Sequence, residues 1–318
     1  MARFRRWASI AVGLSVLGYV AYAVYKGLSE TTTELVGFDW PLYVPILGLT
    51  LVNYGLRYLK WSYLLTRLGI RVPHRTNVWI FLAGLAMVIS PAKAGEIVKP
   101  WLVRTCAGGS LLKTVPALVV ERGTDGIAVA ILAAVGVSTY YAEATSVIYW
   151  TLGVSLLAVV AISVRPVAIG ILRAIGRIGP LERPARHLED VYEATRACLE
   201  PVPFAVTMAA SLVAWFAECV GYWLVFRGLH VAASLDAATF LYAFATVFGA
   251  PSPGGLGVAD AALAEGAPRV IEAITAPQAL AASLLVRLAT LWLGVGFGAV
   301  ALMRMETVIA RARAEAAG

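Results

Sequence analysis

Between Ser90 and Arg104 the chain places two prolines, a glycine, one acid and three bases. The stretch reads Ser90-Pro91-Ala92-Lys93-Ala94-Gly95-Glu96-Ile97-Val98-Lys99-Pro100-Trp101-Leu102-Val103-Arg104. It follows an apolar run, residues 78–90, too short to cross a bilayer. Broken backbone at membrane depth is tolerated only where protein or water covers it. Such breaks are where polar substrates are bound in many transporters. A second tip of the same kind closes another short apolar run, residues 239–250. It reads Ala250-Pro251-Ser252-Pro253-Gly254-Gly255-Leu256-Gly257-Val258-Ala259-Asp260. The chemistry these residues suit is the holding of an anion. Lys93 and Lys99 supply charge at the first tip, beside Glu96. At the second, Pro253, Gly254, Gly255 and Gly257 allow close backbone approach. A helix starting near Leu256 would present free N–H groups and a positive dipole end. Glu96 and Asp260 suit either proton coupling or the capping of a helix start.

Further ionisable residues fall inside apolar segments, where each costs about 2.5–3.5 kcal/mol near the bilayer centre. Arg57 and Lys60 lie three apart on one helical face, with Asn53. Glu121, Arg122 and Asp125 form a second group, with Glu121 and Asp125 on a common face. Glu218 and Arg287 each fall near the middle of a long apolar stretch. Spacing allows the pairs Arg122–Asp125, Arg57–Glu218 and Arg287–Asp260. Bases outnumber acids only slightly, so a nearly neutral cavity that accepts an anionic headgroup fits as well as a strongly cationic one. No catalytic set stands out. His74, His187 and His230 are scattered, no HExxH or CxxC motif occurs, and Ser90 and Ser252 have no histidine partner in sequence. No cofactor, metal or nucleotide site is implied.

The elements that must carry these residues are membrane helices. The chain of 318 residues is 60% hydrophobic and 14% charged, with a mean hydropathy of +0.78. A soluble domain is about 45–50% apolar and about 25% charged. The net charge of +7 is explained by basic cytoplasmic loops and not by nucleic acid. Cys106, Cys198 and Cys219 have neither metal nor disulfide spacing. Six segments have the length of a span, near 7–26, 42–66, 114–138, 146–164, 203–228 and 277–303. The first follows Arg3, Arg5 and Arg6 and is read as a retained span, not a cleaved leader. The two short runs with their following stretches read as re-entrant hairpins. Two ordinary short spans at each place give the same inside and outside.

Arg67, Arg71, Arg75, Lys93, Lys99, Arg104, Lys113 and the arginines of residues 165–196 then share one side, with both termini. Lys26, Arg227 and Arg269 fall on the other, beside Glu30, Glu34 and Asp39. That is a positive-inside arrangement with cytoplasmic termini. The expected fold is an all-α polytopic membrane protein, about six full transmembrane helices plus two re-entrant helical hairpins. It forms one domain, 1–318, built as an inverted-topology repeat with halves of about 1–140 and 141–318. Residues 166–200 form a cytoplasmic segment, with an amphipathic helix around Arg186 to Glu193.

The ordered set Asn53, Arg57 and Trp61; Pro91 to Glu96 with Lys99; Glu121-Arg122 with Asp125; Trp215 with Glu218; Pro251 to Gly257; and Arg287 resembles the flippase-like lysylphosphatidylglycerol synthase transmembrane domain family. The resemblance covers the second span to the sixth. That family usually has Glu where this chain has Asp260. The resemblance implies a protein that moves or handles lipid, without the soluble synthase domain carried by some relatives. The leading expectation is a cell inner-membrane lipid translocase for a phosphate-bearing headgroup, on a phospholipid, polyprenyl phosphate or glycolipid. Arg57, Lys60, Lys93, Arg122 and Arg287 would neutralise the phosphate, and Glu96, Glu121, Asp125 and Glu218 would orient those bases or carry protons. The competing expectations are a lipid-linked glycosyl- or aminoacyl-transferase and a non-catalytic scaffold. Expected partners are the membrane lipid substrate, a second copy of the chain as a homodimer, and lipid-biosynthesis enzymes.

Overall fold

The computed structural model describes residues 28–90, 95–108, 110–163, 191–272 and 274–317. The expected span at 7–26, Lys93 at the first tip, and most of the 166–200 segment lie outside the described residues. The described elements are helical, with no strand among them. In order they are α1 (Leu28–Val36), α2 (Tyr43–Arg67), α3 (His74–Ala86), α4 (Val98–Ala107), α5 (Leu111–Tyr140), α6 (Thr145–Ser163), α7 (Pro201–Gly228), α8 (Leu235–Gly249), α9 (Val258–Val270), α10 (Ala276–Arg287) and α11 (Leu293–Ala317). A further helical stretch covers residues 191–198. A π-helical turn, Leu288–Trp292, joins α10 to α11 without a break.

Among the described residues, three helical stretches are long and apolar enough to cross a membrane: Ala142–Ile162, Pro201–Gly228 and Ala276–Arg311. The helices α2 and α5, of 25 and 30 residues, reach about 38 and 45 Å at 1.5 Å per residue, more than a hydrocarbon core of about 30 Å. They carry the buried charges that lower their mean hydropathy. Val147, Trp150, Val154, Leu157 and Val160 leave α6 exposed along its length, as a lipid-facing helix requires. The chain is thus a multi-pass membrane protein.

Local chemistry sets the helix limits. Ser234 caps α8, its Oγ accepting from the Ala237 amide at 3.3 Å. Thr275 and Gln278 form a reciprocal capping box at the start of α10. Gly108, at φ +69°, ends α4 in the left-handed conformation. The short helices α3 and α8 both stop at a Ser-Pro pair. Ser90 and Ser252, each before a proline, are extended with ψ near 151° and 152°, as the proline ring demands of its predecessor. Each serine hydroxyl donates to the carbonyl three residues back, Ser90 to Met87 at 2.7 Å and Ser252 to Gly249 at 2.9 Å.

Packing forms two apolar blocks. One gathers Tyr222, Phe226, Phe240, Leu285 and Ala133 from α5, α7, α8 and α10. The other gathers Trp61, Leu64, Phe81, Leu102 and Met305 from α2, α3, α4 and α11. Along α5 the change from one block to the other falls between Val120 and Ala128. Glu121, Thr124 and Asp125 occupy that interval. Ile89, Leu291 and Val295 form a third, small cluster, and there the two tips meet: a Cβ added to Gly254 would stand 3.5 Å from the Ile89 Cα. At one end of the bundle Arg67 pairs with Glu200 at 2.9 Å. At the other, the Asp39 amide donates to the Gly228 carbonyl at 2.9 Å and Tyr140 donates to Asp236 at 2.5 Å.

Two outcomes follow from this packing. A Cβ at Gly298 would lie 2.3 Å from the Ala86 backbone nitrogen, whereas one at Gly296 meets nothing within 4 Å. Gly298→Ala should therefore cost about 1–3 kcal/mol by overpacking, and Gly296→Ala should cost nothing; thermal unfolding in detergent distinguishes them. The Tyr140 hydroxyl, at the exposed end of α5, holds the Asp236 carboxyl below its ordinary pKa. A depressed carboxylate pKa adds stability above the unfolded-state value and loses it as pH falls through the folded one. Tyr140→Phe should lower the melting midpoint at neutral pH, with the deficit vanishing in acid. An exposed contact of this kind is worth about 0.2–1 kcal/mol.

Candidate functional site

The buried charges separate into two neighbouring groups. The first is a cluster centred on α5. Asp125 receives Lys60 from α2 in a close ion pair, Arg122 at 3.0 Å and, more loosely, Arg57 Nε at 3.8 Å. Glu121 binds Lys99 and Arg122, each at 2.5 Å. Glu96, just before α4, faces Arg122 at 3.4 Å and Lys99 at 3.5 Å. Lys60 also donates to the Glu121 carbonyl at 3.1 Å and to Ser211 of α7 at 2.7 Å. Asp125 Oδ1 accepts from Ser211 at 3.0 Å. This arrangement suits a dry interior, where a charge is tolerated only with partners and hydrogen bonds.

The cluster is held by packing. Lys99 is 2% exposed, and its Nζ lies 4.5 Å from the centroid of the Trp61 ring and 5.7 Å from that of Phe81. Its stem passes over Gly84, where a Cβ would stand 2.7 Å from the lysine Cδ. Trp61 is fixed by its Nε1–H to Asn77 Oδ1 at 3.0 Å. Asn53 donates to the Ala214 carbonyl at 2.9 Å and holds α2 against α7.

The second group surrounds a cavity of about 90 Å³. Arg57, Glu218, Gly254, Gly255 and Arg287 line it, so five of the expected residues converge on one hollow. Arg57 stands between the two groups. Its Nε is buried without a hydrogen bond, and its guanidinium carbon lies 5.9 Å from the centroid of the Trp215 ring. Glu218 accepts from Tyr242 Oη at 2.6 Å. Arg287 latches the second tip: its Nη2 donates to the Gly254 carbonyl at 2.6 Å, and its Nε meets Asp260 at 2.8 Å.

Of the three pairs that spacing allowed, Arg122–Asp125 and Arg287–Asp260 form. Arg57 turns instead to Asp125, and Tyr242 bonds Glu218. The second tip offers fewer free amides than its glycines suggest. The Gly257 amide donates to Asp260 Oδ2 at 2.9 Å. Those of Gly255 and Leu256 close turns onto Ser252 and Pro253. Gly254, Gly255 and Gly257 nonetheless need their glycines, with φ of +61°, +75° and +79°. Pro253 and Gly257 shape the tip without lining the cavity.

Sequence reasoning missed Tyr54, Tyr242, Thr246 and Thr290, which also line the hollow. Tyr54 lies one helical turn before Arg57, so helical spacing from a named residue would have found it; Tyr242 and Thr246 lie on α8, which carried no expected site residue. Thr290 lies in the π-turn, where its carbonyl accepts from the Tyr54 hydroxyl. Such turns recur at functional sites and leave no mark in the sequence.

Removing the shared carboxylate has a stated cost. Asp125→Asn leaves three cations without their common partner and should destabilise the protein by about 3–5 kcal/mol. Arg67→Ala removes an exposed pair and should cost less than about 1 kcal/mol. Denaturation of the two variants side by side in detergent measures the difference.

No curated protein matches the chain. A family model does, over residues 6–298, and with that span of the sequence matched the chain belongs to the lysylphosphatidylglycerol synthase TM region family.

Proposed function

We propose that this protein moves the phosphate-bearing head of a lipid across the cell inner membrane, through the cavity between Arg57 and Arg287, while the tails stay in the bilayer. The observation that carries this reading is that single hollow. It joins two arginines, a carboxylate and the glycines of one tip at the point where both tips touch. Among the described residues, Arg57 is the lining cation held most loosely, since its nearest carboxylate, Asp125, stands 3.8 Å from Nε. Lys60, Lys99 and Arg122 are engaged by carboxylates and keep Arg57 in place. Arg287 shapes the tip.

The architecture in this reading is six spans and two re-entrant hairpins, with both termini cytoplasmic. Arg71 and Arg75 at the start of α3, with Arg104 in the last turn of α4, favour one cytoplasmic end for that pair. The halves echo one another in detail, which supports an inverted repeat. Each tip has a Ser-Pro pair whose hydroxyl bonds three residues back. Each has an acid clamped by an arginine from the following long helix, Glu96 by Arg122 and Asp260 by Arg287. A transferase would need a free base at the tips. Glu96 and Asp260 are both engaged by cations, which weighs against that alternative.

Reconstitution into liposomes tests the proposal. Dithionite quenching of a fluorescent phospholipid should show translocation by the wild type. Arg57→Gln should slow it about tenfold, equivalent to about 1.4 kcal/mol, with a fall in melting midpoint far smaller than that of Asp125→Asn. Equal rates for Arg57→Gln and wild type, or no movement of any phosphate-bearing lipid, would sink the reading.

A further inference from the structure

A second cavity, of about 240 Å³, lies where the last turns of α2 face the start of α3. It shares no residue with the central hollow. The polar side chains that line it are Tyr58, Ser62, Thr66, Arg71, His74 and Asn77. No carboxylate is among the lining residues. Asn77 is spent in holding the wall, its Oδ1 accepting from Trp61 and its Nδ2 donating to Ser62 Oγ at 2.8 Å. Ser62 Oγ thus accepts from Asn77 and keeps its own proton to give. Tyr58 Oη and His74 Nδ1 share one hydrogen bond at 2.8 Å, which fixes the imidazole. Arg71 brings a full positive charge. Its neighbour Arg67 is engaged by Glu200 at 2.9 Å, so the arginine facing this space is Arg71.

A space lined by a guanidinium, a hydroxyl donor and an imidazole, with no acid, favours an oxyanion over a cation or a neutral group. Leu65, Ile70 and Val72 complete the lining and suit an apolar portion attached to that anion. We propose that this cavity is a second binding site for a phosphate group, borne by a membrane lipid or free, held by Arg71, Ser62 and His74. The proposal stands apart from the translocase reading, because none of its residues lines the central cavity.

The test titrates the full-length protein in uncharged detergent with three probes: dioctanoyl phosphatidic acid, dioctanoylglycerol and inorganic phosphate. Native mass spectrometry counts the bound molecules. Phosphatidic acid should bind, and dioctanoylglycerol should not. Arg71→Gln and Ser62→Ala should each weaken one binding event about tenfold, while Arg57→Gln leaves that event unchanged. Arg71 is exposed, so its replacement should not alter the melting midpoint. Inorganic phosphate displacing the lipid at equal concentration would identify the free ion as the occupant; failure to displace it would identify the lipid. Binding by Arg71→Gln and Ser62→Ala with wild-type affinity would overturn the proposal, as would equal binding of dioctanoylglycerol. Loss of all binding in Arg57→Gln alone would overturn it too, and would leave the central site standing.

Discussion

The carboxylate of Asp125 is the constraint on which the bundle depends. It draws Lys60 and Arg57 from α2 and Arg122 from its own helix to one point inside the protein. Ser211 extends the contact to α7. A lysine or arginine alone at that depth would be expelled or neutralised. Gathered around Asp125 and Glu121, the bases can stay charged. The gathering also fixes how α2, α5 and α7 cross, because three helices must deliver short polar groups to within about 3 Å of each other, the range in which such bonds form. The apolar blocks on either side then pack against a layer whose geometry is already set.

Within that layer the bases are held unequally, and the inequality is what gives the cavity its character. Lys60 and Lys99 are enclosed, each with several partners or aromatic faces. Arg57 reaches the same carboxylate only at 3.8 Å and borders the hollow. A buried donor without a bond carries a desolvation cost of about 1–3 kcal/mol. On the proposed reading, an oxyanion beside Arg57 would relieve that cost.

Much of this was legible in the sequence. The described helices α2, α5, α6 and α7 fall within a few residues of the expected segments 42–66, 114–138, 146–164 and 203–228, since apolar runs of about twenty residues read directly as bilayer-length helices, whereas the helix expected to end near 303 runs on to Ala317. The charged residues of those runs were identified individually, because a charge at that depth is conspicuous. Their partners were harder to read. Helical spacing specifies neighbours on one helix, as with Arg122 and Asp125. It does not say that Lys99 crosses Gly84 to reach Glu121, or that Arg57 faces Asp125 and Tyr242 takes Glu218. Those outcomes depend on crossing angles, which the glycines at 84 and 298 permit by letting backbones and stems approach. The π-turn at Leu288–Trp292 was invisible for a similar reason, since nothing in Leu-Ala-Thr-Leu-Trp distinguishes it from an ordinary helix.

The two tips are alike in construction and unlike in how firmly they are anchored. Behind the first, Glu96 meets two cations that are themselves tied to Glu121, so displacing it disturbs an entire network. Behind the second, Asp260 meets Arg287, and Arg287 also binds the Gly254 carbonyl. One arginine, with the Gly257 amide on Asp260, is a smaller set of partners than a network in which several cations and carboxylates interlock. The cavity is lined by the glycines of this second tip, and the π-turn beside Arg287 places an irregular segment in the supporting helix. The tip that lines the hollow is therefore the one held by the fewer charged partners.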